Sequence, residues 1–432
     1  MAPKHSRIPL GRAEALAAQA IREAQEAGLP FDDIVPAGGV RRYAPAVDGA
    51  VLVAIVSTAR RSELLTGFSR LPVVRSVLGS SPSSLRAATD RGLLEVHVAA
   101  PDMAGAALVW HTGTRRHARW LQSRAAALGL AFTDGRIDRG TNSVPPVPDE
   151  QAFYRLLDLP YIPPELREGE DELGAAESGH LPSLITTLHV RGDLHMHSTW
   201  SDGRDSIMQM VLSSRQLGYE YVAITDHSER SWASRKLLAL EIPLQRREIE
   251  TVRAQSPGIG VLHGVEVDIM PDGSLDFSDD TLAGFDIVLA SLHDGHGDNG
   301  GRLTERYLQA MRNPLVNVIT HPTNRSPALS DGYDLDFDRL FEAAVETGTA
   351  MEIDGAPGHL DMDGRIARRA AAAGVTIAVN SDCHRAEALG RQMSFGIGTA
   401  RRGWVRPEQV LNTRGIEAIL EFVARKRGRS AR

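Results

Sequence analysis

The sequence predicts an α/β protein whose C-terminal half closes a seven-stranded parallel barrel. Three observations carry that prediction. Short β-rich runs occur at 190–196, 219–225, 260–269, 285–292, 315–320, 349–353 and 375–381, with segments rich in Ala, Leu, Arg and Glu between most of them. The runs end about 30 residues apart, the length of one strand plus its crossover helix. Every run also carries His, Asp or Glu near or just beyond its end. Seven such units make a relative of the (β/α)8 barrel, whose active site sits where strands give way to loops.

Composition bounds the rest. The 432 residues are 42% hydrophobic and 24% charged, which is ordinary for globular domains. A net charge of −7 disfavours a protein that coats nucleic acid by bulk positive charge. One cysteine, Cys383, forms no intrachain disulfide, so a cytoplasmic location is expected. No apolar stretch follows the first residues and none reaches membrane-spanning length, so neither a signal peptide nor a membrane span is expected. Charge divides the chain: residues 1–148 carry +6, 149–190 carry −7 and 191–432 carry −6. The domains expected are 1–148, an acidic Pro-rich linker over 149–189 with one short helix near 150–158, a barrel over 190–425, and a solvated basic tail over 426–432.

In chain order, the barrel runs end as follows. The first ends in Asp193-Leu194-His195-Met196-His197, with Asp202 beyond, and the second in Thr225-Asp226-His227. The third holds Gly264-Val265-Glu266-Val267-Asp268, and the fourth ends in Ser291-Leu292-His293-Asp294. The last three end in Thr320-His321-Pro322, Glu352-Ile353-Asp354 and Ser381-Asp382-Cys383-His384. Side chains alternate along a strand, so His-x-His places both imidazoles on one face, and Asp-x-His does the same with a carboxylate. Imidazole and carboxylate without clustered thiolates suit Zn, Mn, Fe or Co more than Mg alone. Six histidines and three acids in such a ring are enough for two or three divalent metals. The alternation turns Cys383 away, into the core.

These residues resemble a known family. Asp193-Leu194-His195-Met196-His197-Ser198, Thr225-Asp226-His227-Ser228, His321-Pro322-Thr323 and Ser381-Asp382-Cys383-His384 are similar to the PHP (polymerase and histidinol phosphatase) domain, a metal-dependent phosphoesterase. The resemblance implies three ligand sets: His195, His197, Glu266 and Asp382; Glu266 again with His293 and His321; and Asp202, His227 and His384. It implies two or three divalent ions (Zn, Mn or Fe). Between them a water, held by Glu266, Asp382 and His197, loses its proton and attacks phosphorus in line. Arg325 and His359 are expected at the substrate phosphate; His359 stands where the family usually has an arginine. His263 is expected to face a helix, and His296 to lie solvated in the Gly-rich loop 294–301.

The first half narrows the resemblance to bacterial family X DNA polymerases. Gly38-Gly39-Val40-Arg41-Arg42-Tyr43 resembles their nucleotidyltransferase Gly-Ser-x-Arg-Arg motif. Gly105-Ala106-Ala107-Leu108 with His111-Thr112-Gly113-Thr114 resembles their thumb, and Leu159-Pro160-Tyr161-Ile162-Pro163-Pro164 the linker into their PHP domain. The resemblance implies a palm/thumb α+β region before the barrel. Its palm needs three carboxylates, and these positions fall on Gly49, Val51 and Glu95, so polymerase activity is expected to be lost. Arg41, Arg42, Arg115, Arg116, His117 and Arg119 are weighed as a basic face toward nucleic acid, against a merely scaffolding palm.

The function expected is a metal-dependent phosphoesterase acting as a 3′–5′ exonuclease, with DNA as partner (3′ ends or single strands). The alternatives are a phosphomonoesterase of the histidinol-phosphatase type and a non-catalytic DNA-repair adaptor with structural metals. A structural site closes with four ligands and has no use for nine.

Overall fold

The structure is a computed structural model that describes residues 7–140, 144–295 and 297–429. The chain divides into two compact units, Met1–Pro182 and Ser183–Arg432.

In the first unit, apolar runs such as Leu52-Val53-Ala54 and alternating ones such as Leu94-Glu95-Val96 build a five-stranded sheet. Its strands are β1 (Asp33–Ala37), β2 (Gly49–Ile55), β3 (Ser76–Ser81), β4 (Ser84–Thr89) and β5 (Gly92–Ala99), in the order β1-β2-β5-β4-β3. Only β2 and β5 pair in parallel, with Val51 opposite Glu95. One face buries Leu52, Leu94 and Val96 against Leu16, Ala17 and Ala20 of the helix Leu10–Glu26 and against Leu64 and Phe68.

Two expectations are corrected here. Residues 149–182 are not a linker: they belong to the first unit and carry the helices Glu150–Leu156 and Asp171–Glu177. Their acids are used internally. Arg167 is fully buried, donates to the Ile162 carbonyl at 2.9 Å and pairs with Glu150 at 2.5 Å; Glu172 lies 3.0 Å from the buried His117. The same pairing dismantles half of the basic face. Arg41 is held by Glu150 at 2.7 Å, Arg42 by Glu168 at 3.1 Å and His117 by Glu172, which leaves Arg115, Arg116 and Arg119 exposed. Net charge by segment missed this because acids late in the unit neutralise bases early in it.

In the second unit the strands are β6 (Gly192–Asp193), β7 (Tyr221–Ile224), β8 (Gly260–Asp268), β9 (Ile287–Ser291), β10 (Val318–Ile319), β11 (Ala350–Asp354) and β12 (Ile377–Asn380). They lie in sequence order and all pair in parallel, as the spacing predicts. Runs such as 287–290 are apolar throughout because parallel strands are buried on both faces. Alternate residues divide between two clusters. Tyr221, Ala223, Ile287 and Leu289 join Ile419 and Val423 of the C-terminal helix Ile416–Arg429, while Val222, Ile224, Val288 and Ala290 pack with residues of the crossover helices. Crossover helices start at caps that accept from their first turns, among them Ser206, Asn299, Asp336 and Asp363.

β6 and β12 do not form a ladder with each other, and side chains close the seam. Asn412 Nδ2 donates to the Gly192 carbonyl at 2.8 Å and the Val379 carbonyl at 2.6 Å, while its Oδ1 accepts from Val379 N at 3.0 Å. Asn380 Oδ1 accepts from Leu194 N at 3.1 Å. The basic tail is also corrected. Lys426 lies within the C-terminal helix, 3% exposed, and donates to the Met311 carbonyl at 2.9 Å; Arg427 donates to the Phe285 carbonyl at 2.7 Å. Residues 430–432 fall outside the described residues. Among the described residues no helix is long and apolar enough to cross a membrane.

Candidate metal centre

The C-terminal ends of the barrel strands bring nine side chains into one cluster, and Glu266 at its centre is fully buried. Its Oε1 lies 2.9 Å from His321 Nε2, 3.5 Å from His195 Nε2 and 3.8 Å from His293 Nε2. Its Oε2 lies 2.7 Å from His227 Nδ1 and 3.6 Å from His197 Nε2. Asp382 Oδ1 is 3.1 Å from His197 Nε2 and 3.6 Å from His195 Nε2. Asp202 Oδ1 is 3.2 Å from His384 Nε2 and 3.5 Å from His227 Nε2. Three groups result whose ligand-type atoms lie within 4.8 Å of one another: His195, His197 and Asp382; His197, Asp202, His227 and His384; and His227, Glu266 and His293. The sets cross those implied by the resemblance, since His227 faces Glu266 as well as Asp202.

The backbone departs from simple strands at this rim. The β6 ladder ends at Asp193, and a parallel bridge from Met196 to Cys383 carries the extended chain on to His197. Asp382 has φ 48°, a left-handed conformation that L-residues adopt at a cost. Cys383 is buried, and its thiol donates to the Arg385 carbonyl at 2.8 Å, so it is core as expected.

The donor set fits divalent cations. Glu266 Oε2, Asp202 Oδ1 and His227 Nδ1 are buried without a hydrogen bond of good geometry, although carboxylate and imidazole face each other across short gaps. That arrangement suits a positive centre among the atoms. The electrostatics agree. Burial opposes charge on His195, but Glu352, Glu266 and Asp382 raise its pKa well above the ordinary value. Burial likewise opposes charge on Glu266, yet His227 and His195 hold it well below the usual carboxylate range. Burial and then His227 and His384 push His197 down to about 3, leaving the neutral imidazole that ligates metal. His321 and His384 rise to about 9; burial opposes this, and the Glu266 and Asp202 carboxylates outweigh it. Cations entering the cluster displace such protons.

A second layer orients these groups. Glu352 accepts at His195 Nδ1 (2.8 Å) and from His321 N (3.0 Å), which turns His195 Nε2 inward. Asp268 does the same at His293 Nδ1 (2.7 Å). Asp226 gathers Ser198 N (2.7 Å), Ser201 N (3.1 Å) and Gln245 Nε2 (2.7 Å), fixing the turn that presents Asp202. The sequence showed these acids at strand ends without their roles. The usable signal was period two: Asp268 shares a strand face with Glu266, and carboxylate–histidine pairs accompany metal-binding histidines.

The other candidates are placed as follows. His263 bonds Gln245 Oε1 at 2.8 Å on the helix Ile242–Gln255, facing a helix as expected. The His359 ring stacks on His321 at 5.3 Å between centroids; its Nδ1 is buried without a hydrogen bond, and burial lowers its pKa to about 4. Arg325 is tied to Asp363 and to the His359 carbonyl, both at 3.2 Å. His296 falls outside the described residues.

Comparisons with known proteins agree with this geometry. The DNA polymerase beta thumb family matches residues 107–168, through the segment expected as linker, and the PHP domain family matches residues 193–351. The chain is 33% identical over 426 residues to a Bacillus subtilis "DNA polymerase/3′-5′ exonuclease PolX", covering 97% of this chain and 73% of that protein. It is 28% identical over 252 residues to a "probable phosphatase" of Syntrophotalea carbinolica, covering 56% of this chain and 98% of that protein. Identity at that level over nearly the whole chain, with thumb and PHP matches in order, places it: the chain belongs to the PolX family of bacterial family X DNA polymerases that carry a C-terminal PHP domain.

Proposed function

We propose that this chain is a metal-dependent phosphodiesterase that shortens DNA from 3′ ends, and that its polymerase module is inactive. The observation that carries the reading is the convergence of Glu266 and eight other ligand-type side chains at the mouth of the barrel. His195, His197, Glu266 and Asp382 would hold one cation, Glu266, His293 and His321 a second, and Asp202, His227 and His384 a third. When bound, divalent cations supply an activated water and neutralise charge on the phosphate and its leaving oxygen. The residues of the chain hold that arrangement still. Glu352 and Asp268 fix the tautomers of His195 and His293. His359 offers its unpaired Nδ1 to a phosphate oxygen, and Arg325 holds the His359 carbonyl in place. The one cysteine is buried beside the cluster and no protein nucleophile is required.

The palm supports loss of nucleotidyl transfer. A cavity of about 460 Å³ there is lined by Gly39, Gly49, Val51 and Glu95 together with Arg7, Arg42, Arg86 and Arg115. Glu95 is engaged by Arg86 at 3.1 Å. A side chain at Gly49 would put Cβ 2.3 Å from the Leu93 carbonyl oxygen, and one at Gly39 would put it 2.4 Å from Val47 Cγ1. A side chain at either motif position would meet its neighbours too closely, which supports the same reading.

A second reading, phosphomonoester hydrolysis, is favoured by relatives called probable phosphatases, which match 56% of this chain over 98% and 95% of their own length. The two readings separate in one experiment. The Mn-loaded chain is given 5′-labelled single-stranded and recessed-end DNA, beside a panel of small phosphomonoesters, with His195→Ala and Asp382→Ala as controls. A ladder shrinking from the 3′ end and lost in both variants supports the exonuclease. Phosphate release from monoesters with DNA intact supports the phosphatase.

A further inference from the structure

The helix Ile242–Gln255 turns Ile242, Gln245, Ile249 and Val252 inward, and Gln245 is the polar member of that buried stripe. It is fully buried, so its amide must find partners inside the protein. It finds one on each side. Gln245 Oε1 lies 2.8 Å from His263 Nε2 on β8, and Gln245 Nε2 donates to Asp226 Oδ2 at 2.7 Å, just beyond β7. Asp226 is fully buried too and takes four more bonds, all from one turn. They come from Ser198 N at 2.7 Å, Ser198 Oγ at 2.6 Å, Ser201 N at 3.1 Å and Ser201 Oγ at 2.6 Å. Five donors make Asp226 an acceptor throughout, which sets the direction of the chain of bonds. His263 Nε2–H donates to Gln245, and Gln245 donates to Asp226.

The turn that Asp226 gathers leads straight into Asp202. On its far side it is pinned by Arg204 N, which donates to the His384 carbonyl at 2.8 Å. Asp202 Oδ1 then stands 3.2 Å from His384 Nε2 and 3.5 Å from His227 Nε2. The same helix touches the turn once more, where Glu248 Oε2 accepts from Trp200 Nε1 at 2.8 Å. Ser201 Oγ reaches His197 Nδ1 only at 3.4 Å, so the coupling to that ligand is loose. We propose that Gln245 is a positioning residue for the cation of Asp202, His227 and His384. By holding Asp226 against the turn it sets where Asp202 stands, and the other two cations are indifferent to it. This rests on the three-cation reading and names the residue through which one ion is loosened while two stay.

Equilibrium dialysis of the full chain against graded free Mn counts the ions and their affinities, with no turnover needed. The wild type is compared with Gln245→Met, Asp202→Ala and the double variant. Arg253→Ala is the control for the helix itself, since Arg253 ties the last turn of that helix to Asp286 and to the Val261 carbonyl, both at 2.7 Å. The proposal expects Gln245→Met to weaken one Mn of three about tenfold, the low end of what a lost supporting partner costs, and to leave two unchanged. In the Asp202→Ala background the same substitution changes nothing further. His263→Leu leaves the bond from Gln245 to Asp226 in place, so it weakens the same ion less, and it carries the test if Gln245→Met does not fold. Arg253→Ala lowers the thermal midpoint and leaves every Mn affinity as it was. Weakening of all three ions together, of none, or by equal factors with and without Asp202 makes Gln245 a packing residue and overturns the proposal. The same loss in Arg253→Ala also overturns it. A wild-type chain that binds fewer than three Mn ions removes the three-cation reading and this inference with it.

Discussion

Glu352 touches no proposed cation, yet it sets the orientation of His195 and caps the backbone of His321. Carboxylates in that position typically contribute roughly 10–100-fold in metal affinity. Glu352→Gln is therefore expected to weaken metal binding by about that factor, with activity recovered at saturating Mn; a titration of activity against Mn concentration reads it. His263 gives a pH prediction. Burial, then Arg246, lowers its pKa from 6.5 to about 4. The unfolded chain takes up a proton at 6.5 that the folded chain refuses, so this contribution is present above pH 6.5 and is lost as pH falls toward 4. The slope per proton is about 1.4 kcal/mol per pH unit. His263→Gln should flatten the decline in urea midpoint between pH 6.5 and pH 5. At this scale the sequence showed the nine ligand-type residues plainly, because His and Asp stand out at the ends of apolar runs. It did not show Arg325 tied to Asp363, or Arg41 and Arg42 tied to Glu150 and Glu168. Such pairs join residues far apart in the chain and follow no spacing rule.

The element carrying Asp202 depends on Gly203. A Cβ at Gly203 would lie 2.6 Å from the backbone of His197 and Ser198, so the turn and the chain just beyond β6 approach too closely for any side chain. Gly203→Ala is expected to pull Asp202 off His384 and lower activity more than tenfold at limiting Mn, by analogy with the loss of a supporting contact. The barrel seam is the second weak element. Asn412 supplies three hydrogen bonds between β6 and β12 where a ladder is missing, and it is fully buried. Asn412→Ala leaves those backbone groups unpaired and should cost about 1–3 kcal/mol for each buried group left unsatisfied, read as a lower thermal midpoint. The parallel order of the seven strands was legible from spacing alone. The seam was not, because Asn412 lies after the last strand and its partners are backbone atoms. The segment 149–182 misled for a related reason: prolines and acids look like linker until Arg167 and His117 are found buried against Glu150 and Glu172.

Across the whole chain, the barrel and the palm-like region stand in contrast. The barrel keeps every ligand-type position, while the palm has Gly49 and Val51 where carboxylates are implied. Gly49→Asp with Val51→Asp is expected to restore no nucleotide addition and to lower stability, because the strand β5 backbone at Leu93 occupies the space a side chain needs. Hydrolysis by the barrel without synthesis by the palm is tested on one gel. A 5′-labelled primer on a longer template is incubated with the chain, Mn and all four deoxynucleoside triphosphates. The expected result is bands that only shorten below the primer, and no shortening in His195→Ala or Asp382→Ala. Extension of the primer, or shortening that survives both substitutions, contradicts it.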